Sequence, residues 1–174
     1  MTLTLRSGFV RGLKTFDDEL RNFFAASASY RAASGSGNVI LILDEDEELA
    51  RLVRFIADRS NMDVTVVFIS DPRDARKLIE ESEESSVKAV IVDVDLLNRT
   101  NGSFYAWVRE SKLNVPMFMK GTRAQITEFT GNGAGWRFGT FVQEETKPSD
   151  YVKALGFPRR CEVFAQEFAH AHSG

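Results

Sequence analysis

Apolar residues along this chain fall into short runs separated by stretches of helical period. Residues 39–43 (VILIL) form an uninterrupted apolar run, the mark of a strand buried on both faces. Leu49, Leu52, Val53 and Ile56 follow at helical spacing and predict an amphipathic helix. Residues 64–69 (VTVVFI) predict a second strand. Asp71-Pro72 opens a second helix, since proline suits the first helical position. That helix turns Ala75, Leu78 and Ile79 inward and ends in an acidic run from Glu80 to Glu84. Residues 88–93 (KAVIVD) predict a third strand, and Phe104, Trp107 and Val108 mark a third helix. The stretch from Asp93 to Gly102 between them reads as loop. Residues 115–119 (VPMFM) predict a fourth strand.

Beyond it the pattern thins. Arg123 to Phe129 supplies only a short helix before the glycine-rich stretch 130–135 (TGNGAG), which reads as loop and lacks the Gly-Lys-Ser/Thr of a phosphate-binding loop. Thr140, Phe141 and Val142 predict a fifth strand. A helix begins at Ser149 and reaches Leu155, Gly156-Phe157-Pro158 interrupts it, and a last helix runs from Arg159 to His170 with Val163, Phe164 and Phe168 on one face. Strands alternating with helices predict an α/β fold: a doubly wound five-stranded parallel sheet, order 2-1-3-4-5, covered on both faces. In such sheets function gathers at the carboxyl ends of the strands.

Ahead of this region, Thr15 is placed to cap a helix with Asp17, Asp18 and Glu19 in its first turn and with Leu20, Phe23 and Phe24 as an apolar stripe. Residues 32–37 (AASGSG) have little to bury and read as a flexible linker. The expected organisation is an N-terminal helical extension and linker over 1–37, a central domain over 38–157, and a C-terminal helix over 158–174. The N-terminal stripe predicts a protein–protein contact, with homo-oligomerisation as its expected form.

Composition narrows the function classes. The 174 residues carry 22 basic and 25 acidic side chains, a net charge of −3, with a pI near 5.5. That balance gives no reason to expect nucleic-acid binding. No apolar run approaches the ~18 residues of a membrane span, and the first residues lack the apolar stretch of a secretory signal. A soluble, cytoplasmic protein without membrane partners is the expectation. Cys161 is the lone cysteine, so an internal disulfide framework is excluded, and the residue is expected to be packed and inert. His170 and His172 near the C-terminus are expected to be solvent-exposed. No sequence feature marks an independent small-molecule enzyme, and the expectation is a phosphoacceptor or interaction domain.

The strand ends carry the candidate chemistry. Strand one runs into Asp44-Glu45-Asp46, strand three into Asp93-Val94-Asp95, and strand five is followed, after a short polar stretch, by Lys147-Pro148. Adjacent parallel strands lie ~5 Å apart, so these ends converge. Carboxylates brought together repel unless a cation shares them, and a hard divalent ion such as Mg2+ suits their oxygens. A lysine ammonium would offset the remaining negative charge, that of a bound phosphoryl group included.

In this order and placement the chain resembles, over residues ~38–157, the receiver domain of two-component response regulators. Asp44-Glu45 resembles the acidic pair after the family's first strand, Asp93 its phosphoacceptor, Gly102 the glycine closing the next loop, and Lys147-Pro148 its Lys-Pro pair, whose peptide bond is often cis. The resemblance implies that Asp93 accepts a phosphoryl group from a histidine kinase or phosphotransfer protein. It implies that Asp44, Glu45 and Asp93, with the backbone carbonyl of Asp95, hold Mg2+, and that Lys147 pairs with the phosphoryl group. The chain departs from the family at strand four, where Lys120-Gly121 stands in place of a hydroxyl residue and Thr122 comes one position late. Glu45 is longer than the usual Asp, the loop after Asp93 is one residue longer, residues 143–146 separate strand five from Lys147, and glycines replace much of helix four.

The first functional reading is a stand-alone receiver that passes its signal to a downstream protein partner, since the chain ends soon after the receiver-like region. The alternative is a pseudo-receiver, the same scaffold working as a phosphorylation-independent interaction or oligomerisation module, with the Lys120 ammonium in place of metal or phosphoryl group. A third likeness, to the wing-type domain of pyridoxal-phosphate decarboxylases, rests on residues 93–98 (DVDLLN) and 115–118 (VPMF).

Overall fold

A computed structural model describes residues 38–80, 87–100, 103–110, 116–131 and 139–172. The helix and linker expected over 1–37, Gly102, Trp136 and the acidic residues after Glu80 lie outside the described residues. The strands are β1 (Val39–Leu43), β2 (Thr65–Ile69), β3 (Val87–Asp93), β4 (Met117–Gly121) and β5 (Gly139–Val142). They form one sheet in the order β2-β1-β3-β4-β5, and every pairing is parallel. The helices are α1 (Glu48–Arg59), α2 (Pro72–Glu80), α3 (Val94–Arg99), α4 (Ser103–Glu110), α5 (Arg123–Gly131), α6 (Pro148–Ala154) and α7 (Cys161–His172).

Strand β1 is central and wholly buried. Side chains alternate across a strand, so Val39, Leu41 and Leu43 enter one core with α2, α3, α4 and α5, while Ile40 and Ile42 enter the other with α1, α6 and α7. The continuous apolar run is the consequence of filling both. The sheet order and its two-sided cover are those expected from the pattern, and they constitute the flavodoxin-like fold.

Three elements differ from expectation. The residues after Asp93 form helix α3 directly, because Asp93 caps it and Val94, Leu96 and Leu97 are all buried. The short helix begun at Arg123 continues to Gly131, two residues past Phe129, with the Thr130 hydroxyl donating to the carbonyl of Ile126 at 2.7 Å. The last helix is shifted to Cys161–His172, since Arg159 and Arg160 are spent in a turn in which the Cys161 N–H donates to the Pro158 carbonyl at 2.8 Å.

Helix α7 lies on α1 and α6. Cys161, Ala165 and Phe168 are buried in the same core as Ile40 and Ile42, Phe168 meets the ring of Phe55 at 5.6 Å, and Glu167 pairs with Arg59 at 3.3 Å. The Cys161 thiol lies 3.0 Å from the Ser60 hydroxyl. The preceding turn places Gly156 at φ +68, a left-handed conformation that suits glycine.

Candidate site at the carboxyl end of the sheet

Alternation along the strands selects which polar side chains meet. Ile40 and Ile42 lead by steps of two to Asp44, Ala89 and Ile91 lead to Asp93, and Phe118 leads to Lys120; the apolar members of all three series belong to the core under α1, α6 and α7. Asp93 and Lys120 are direct register partners across β3 and β4. Asp44, Asp93 and Lys120 therefore share one end and one side of the sheet.

Asp44 is the one buried charged residue among the described residues. The Lys120 ammonium donates to its Oδ2, and the two side chains are 13% and 5% exposed for lysine and aspartate respectively. Asp44 Oδ1 accepts the N–H of Asp46 at 3.1 Å, and the Asp44 N–H donates to the Ile69 carbonyl at 3.2 Å, which anchors the residue to the end of β2. A buried carboxylate needs this much compensation, because leaving one unpaired is costly.

Asp93 is half-buried. Its Oδ1 accepts the N–H of Asp95 at 2.8 Å, closing the N-cap of α3. Burial raises its pKa above the ordinary aspartate value; the Asp95 N–H opposes that shift, the negative charge of Asp44 adds to it, and the Lys120 charge moderates it. Tyr151 of α6 lies buried against Phe141 at 4.4 Å between ring centres. Its phenol is held well above its usual pKa by burial, with Asp44, Asp150 and Glu48 adding to the effect.

The other expected residues are engaged elsewhere. Glu45 is exposed and pairs with Arg99 of α3. The Asp95 carboxylate accepts from Gln125 Nε2 at 2.8 Å. Thr122 caps α5: its hydroxyl accepts the N–H of Gln125 at 3.2 Å, and Gln125 Oε1 accepts the N–H of Thr122 at 2.7 Å, a reciprocal capping box. Lys147 is exposed at the start of α6, where its N–H donates to Asp150 Oδ2 at 2.8 Å. A turn closed on the Val142 carbonyl by the Glu145 and Thr146 N–H groups separates it from β5. Among the described residues the backbone contains no cis peptide bond. Arg99, Gln125 and Tyr151 were not singled out by the sequence reading, and only the Thr-x-x-Gln capping spacing could have drawn attention to Gln125.

This arrangement bears on Mg2+. Its expected ligands are Asp44, Glu45, Asp93 and the Asp95 carbonyl. Asp44 holds a buried ammonium and Glu45 holds a guanidinium, so both carboxylates already have cations. Among the described residues no group of three or more His, Cys, Asp or Glu side chains is gathered so as to hold a metal ion. The donor set as arranged does not fit the metal.

No protein-family model matches the chain, and no curated protein matches it. Among solved structures, a sensor protein from Polaromonas sp. JS666 superposes with a TM-score of 0.52 at 16% identity, covering 73% of this chain and 98% of that one. An adenylate cyclase from Rhodopirellula baltica aligns with a TM-score of 0.43 at 16% identity, over 78% of this chain and 93% of that one. The first likeness is one of fold alone: a five-stranded parallel α/β domain. Among the described residues no helix is long and apolar enough to cross a membrane.

Proposed function

We propose that this protein is a pseudo-receiver: a receiver-like signalling domain that works by protein–protein contact and carries its own cation at the strand-end pocket. The Lys120–Asp44 pair carries this reading. An ammonium group bonded to Asp44 within the protein supplies the positive charge that an acidic strand-end pocket otherwise takes from a metal ion. A dissolved divalent ion must displace that ammonium from Asp44 before the carboxylate can serve as its ligand. The commitment of Thr122 to the cap of α5 and the exposed position of Lys147 support the same reading, since neither side chain is held at Asp93.

A second reading is favoured by one observation. The Asp93 carboxylate is only half-buried, and one of its oxygens is oriented by the Asp95 N–H. A carboxylate so placed could attack a phosphohistidine phosphorus, forming the acyl phosphate O–P bond as the histidine N–P bond breaks. On that reading a histidine kinase or phosphotransfer protein is the donor.

One experiment separates the two. The full chain is incubated with acetyl phosphate and Mg2+ and its intact mass measured, and the intrinsic fluorescence of its two tryptophans is followed during a beryllofluoride titration. The pseudo-receiver reading expects unchanged mass and unchanged fluorescence in the natural protein. A phosphoryl adduct that disappears in Asp93→Asn would establish the phosphoacceptor reading instead.

A further inference from the structure

Gln125 makes three hydrogen bonds, two that cap its own helix α5 and one that joins α5 to α3. From the third position of α5 its N–H donates to the Thr122 hydroxyl at 3.2 Å and its Oε1 accepts the Thr122 N–H at 2.7 Å. Its Nε2 donates to Asp95 Oδ1 at 2.8 Å, and the Asp95 N–H in turn donates to Asp93 Oδ1 at 2.8 Å. The orientation of the amide is dictated by its partners. A backbone N–H requires the oxygen on one side, and a carboxylate requires the NH2 on the other.

The packing around it is built for this approach. A Cβ on Gly121 would lie 3.3 Å from Gln125 Oε1 and 3.2 Å from Val94 Cγ2, tighter than ordinary contact, so the bare backbone there admits both. Beneath the amide, Ile126 of α5 is buried with Val94 and Leu97 of α3. On the outer side, the N–H of Arg123 donates to Glu144 Oε2 at 3.3 Å and its guanidinium pairs with Glu145, which ties the first turn of α5 to the segment after β5.

We propose that Gln125 is a positioning residue that ties the Asp93–Asp95 turn to the amino end of α5, so that a change at Asp93 is read out at the exposed first turn, Arg123 and Ala124. The tie stands on hydrogen bonds within this chain, and it holds whether or not Asp93 is ever modified. It therefore goes beyond the pseudo-receiver reading and survives or fails separately from it.

A purely capping role for Gln125 is separable by substitution. Glutamate serves equally well at the third position of a capping box, but it has no N–H for Asp95. Gln125→Glu therefore keeps the cap and cuts the tie, while Thr122→Ala weakens the cap and leaves the tie's donor in place. The test is amide hydrogen exchange of the isotopically labelled full chain at residues 125–127. Asp93→Ala should change these rates by about five-fold in the natural background and by less than about two-fold in the Gln125→Glu background, the scale of one hydrogen bond of typical net strength. Asp93→Leu, close to aspartate in size and without a capping oxygen, is the second input should alanine prevent folding. Equal responses in the two backgrounds, or no response in the natural one, would overturn the proposal. So would a loss of α5 protection in Gln125→Glu as large as that in Thr122→Ala, since Gln125 would then act through the cap alone.

Discussion

Lys120 stands directly across from Asp93 in the β3–β4 register, yet its ammonium group donates to Asp44, beyond the end of the next strand but one. The lysine thus spans the pocket. It bonds the more buried carboxylate and leaves the half-exposed one to the N-cap of α3.

This division predicts the cost of removing the lysine. Lys120→Met leaves Asp44 as an unpaired buried charge and should lower the unfolding free energy by about 3–5 kcal/mol. The double variant Asp44→Asn, Lys120→Met should recover a large part of that loss. Denaturant unfolding of the two variants and the natural chain checks both statements, and an equal loss in single and double variants would refute them.

Asp93 predicts a pH dependence. Its pKa in the folded protein lies above the ordinary value of 3.8, so the folded state holds the proton more tightly than the unfolded chain does. Its contribution to stability is fully present below 3.8 and is lost as pH rises through the raised folded value. Asp93→Asn removes this penalty while keeping a good N-cap. The variant should be more stable than the natural protein at neutral pH, and its advantage should fade as the pH falls toward 3.8. Unfolding curves across that range are the measurement, and an advantage that grows in acid would contradict the assignment.

Much of this geometry could be read from alternation alone. Ile40, Ile42 and Asp44 lie on one parity of β1, and Ala89, Ile91 and Asp93 on one parity of β3, so both carboxylates were expected at one end of the sheet. The sheet order and both layers of helices followed from the apolar runs. The choice of lysine did not. Lys147 and Lys120 are both strand-end lysines in sequence, and only the turn at residues 143–146 and the β3–β4 register decide which one reaches the pocket. Helix α3 was also missed, because a six-residue helix shows less than two full turns of periodicity and its start depends on a cap made by Asp93 itself. The pairing of Glu45 with Arg99 spans 54 residues of sequence and has no local signature.

Gly139 predicts a steric test. A Cβ there would lie 2.4 Å from Phe118 Cδ1, and that ring stacks on Phe141 at 5.1 Å. Gly139→Ala should cost about 1–3 kcal/mol through the displaced ring. Phe118→Leu in the same chain should relieve part of it. Thermal unfolding of the single and double variants measures the coupling, and a neutral Gly139→Ala would show that the ring moves freely.

Phe168 predicts how firmly α7 belongs to the domain. It is buried against Phe55 and stacks on the His172 ring at 4.1 Å. Phe168→Ala should cost about 3–5 kcal/mol, and the exchange protection of α1 amides should fall together with that of α7. If α7 alone loses protection, the helix is an independent attachment rather than part of the core.

The ammonium on Asp44 also differs from an ion in kind. A metal equilibrates with the surrounding solution, has a dissociation constant, and can be chelated or exchanged for a competitor. Lys120 is made with the chain, arrives at one equivalent per molecule, and is lost only by mutation or unfolding. Its place beside Asp44 needs no dissolved ion to fill it, so the pocket carries that positive charge in chelator as well.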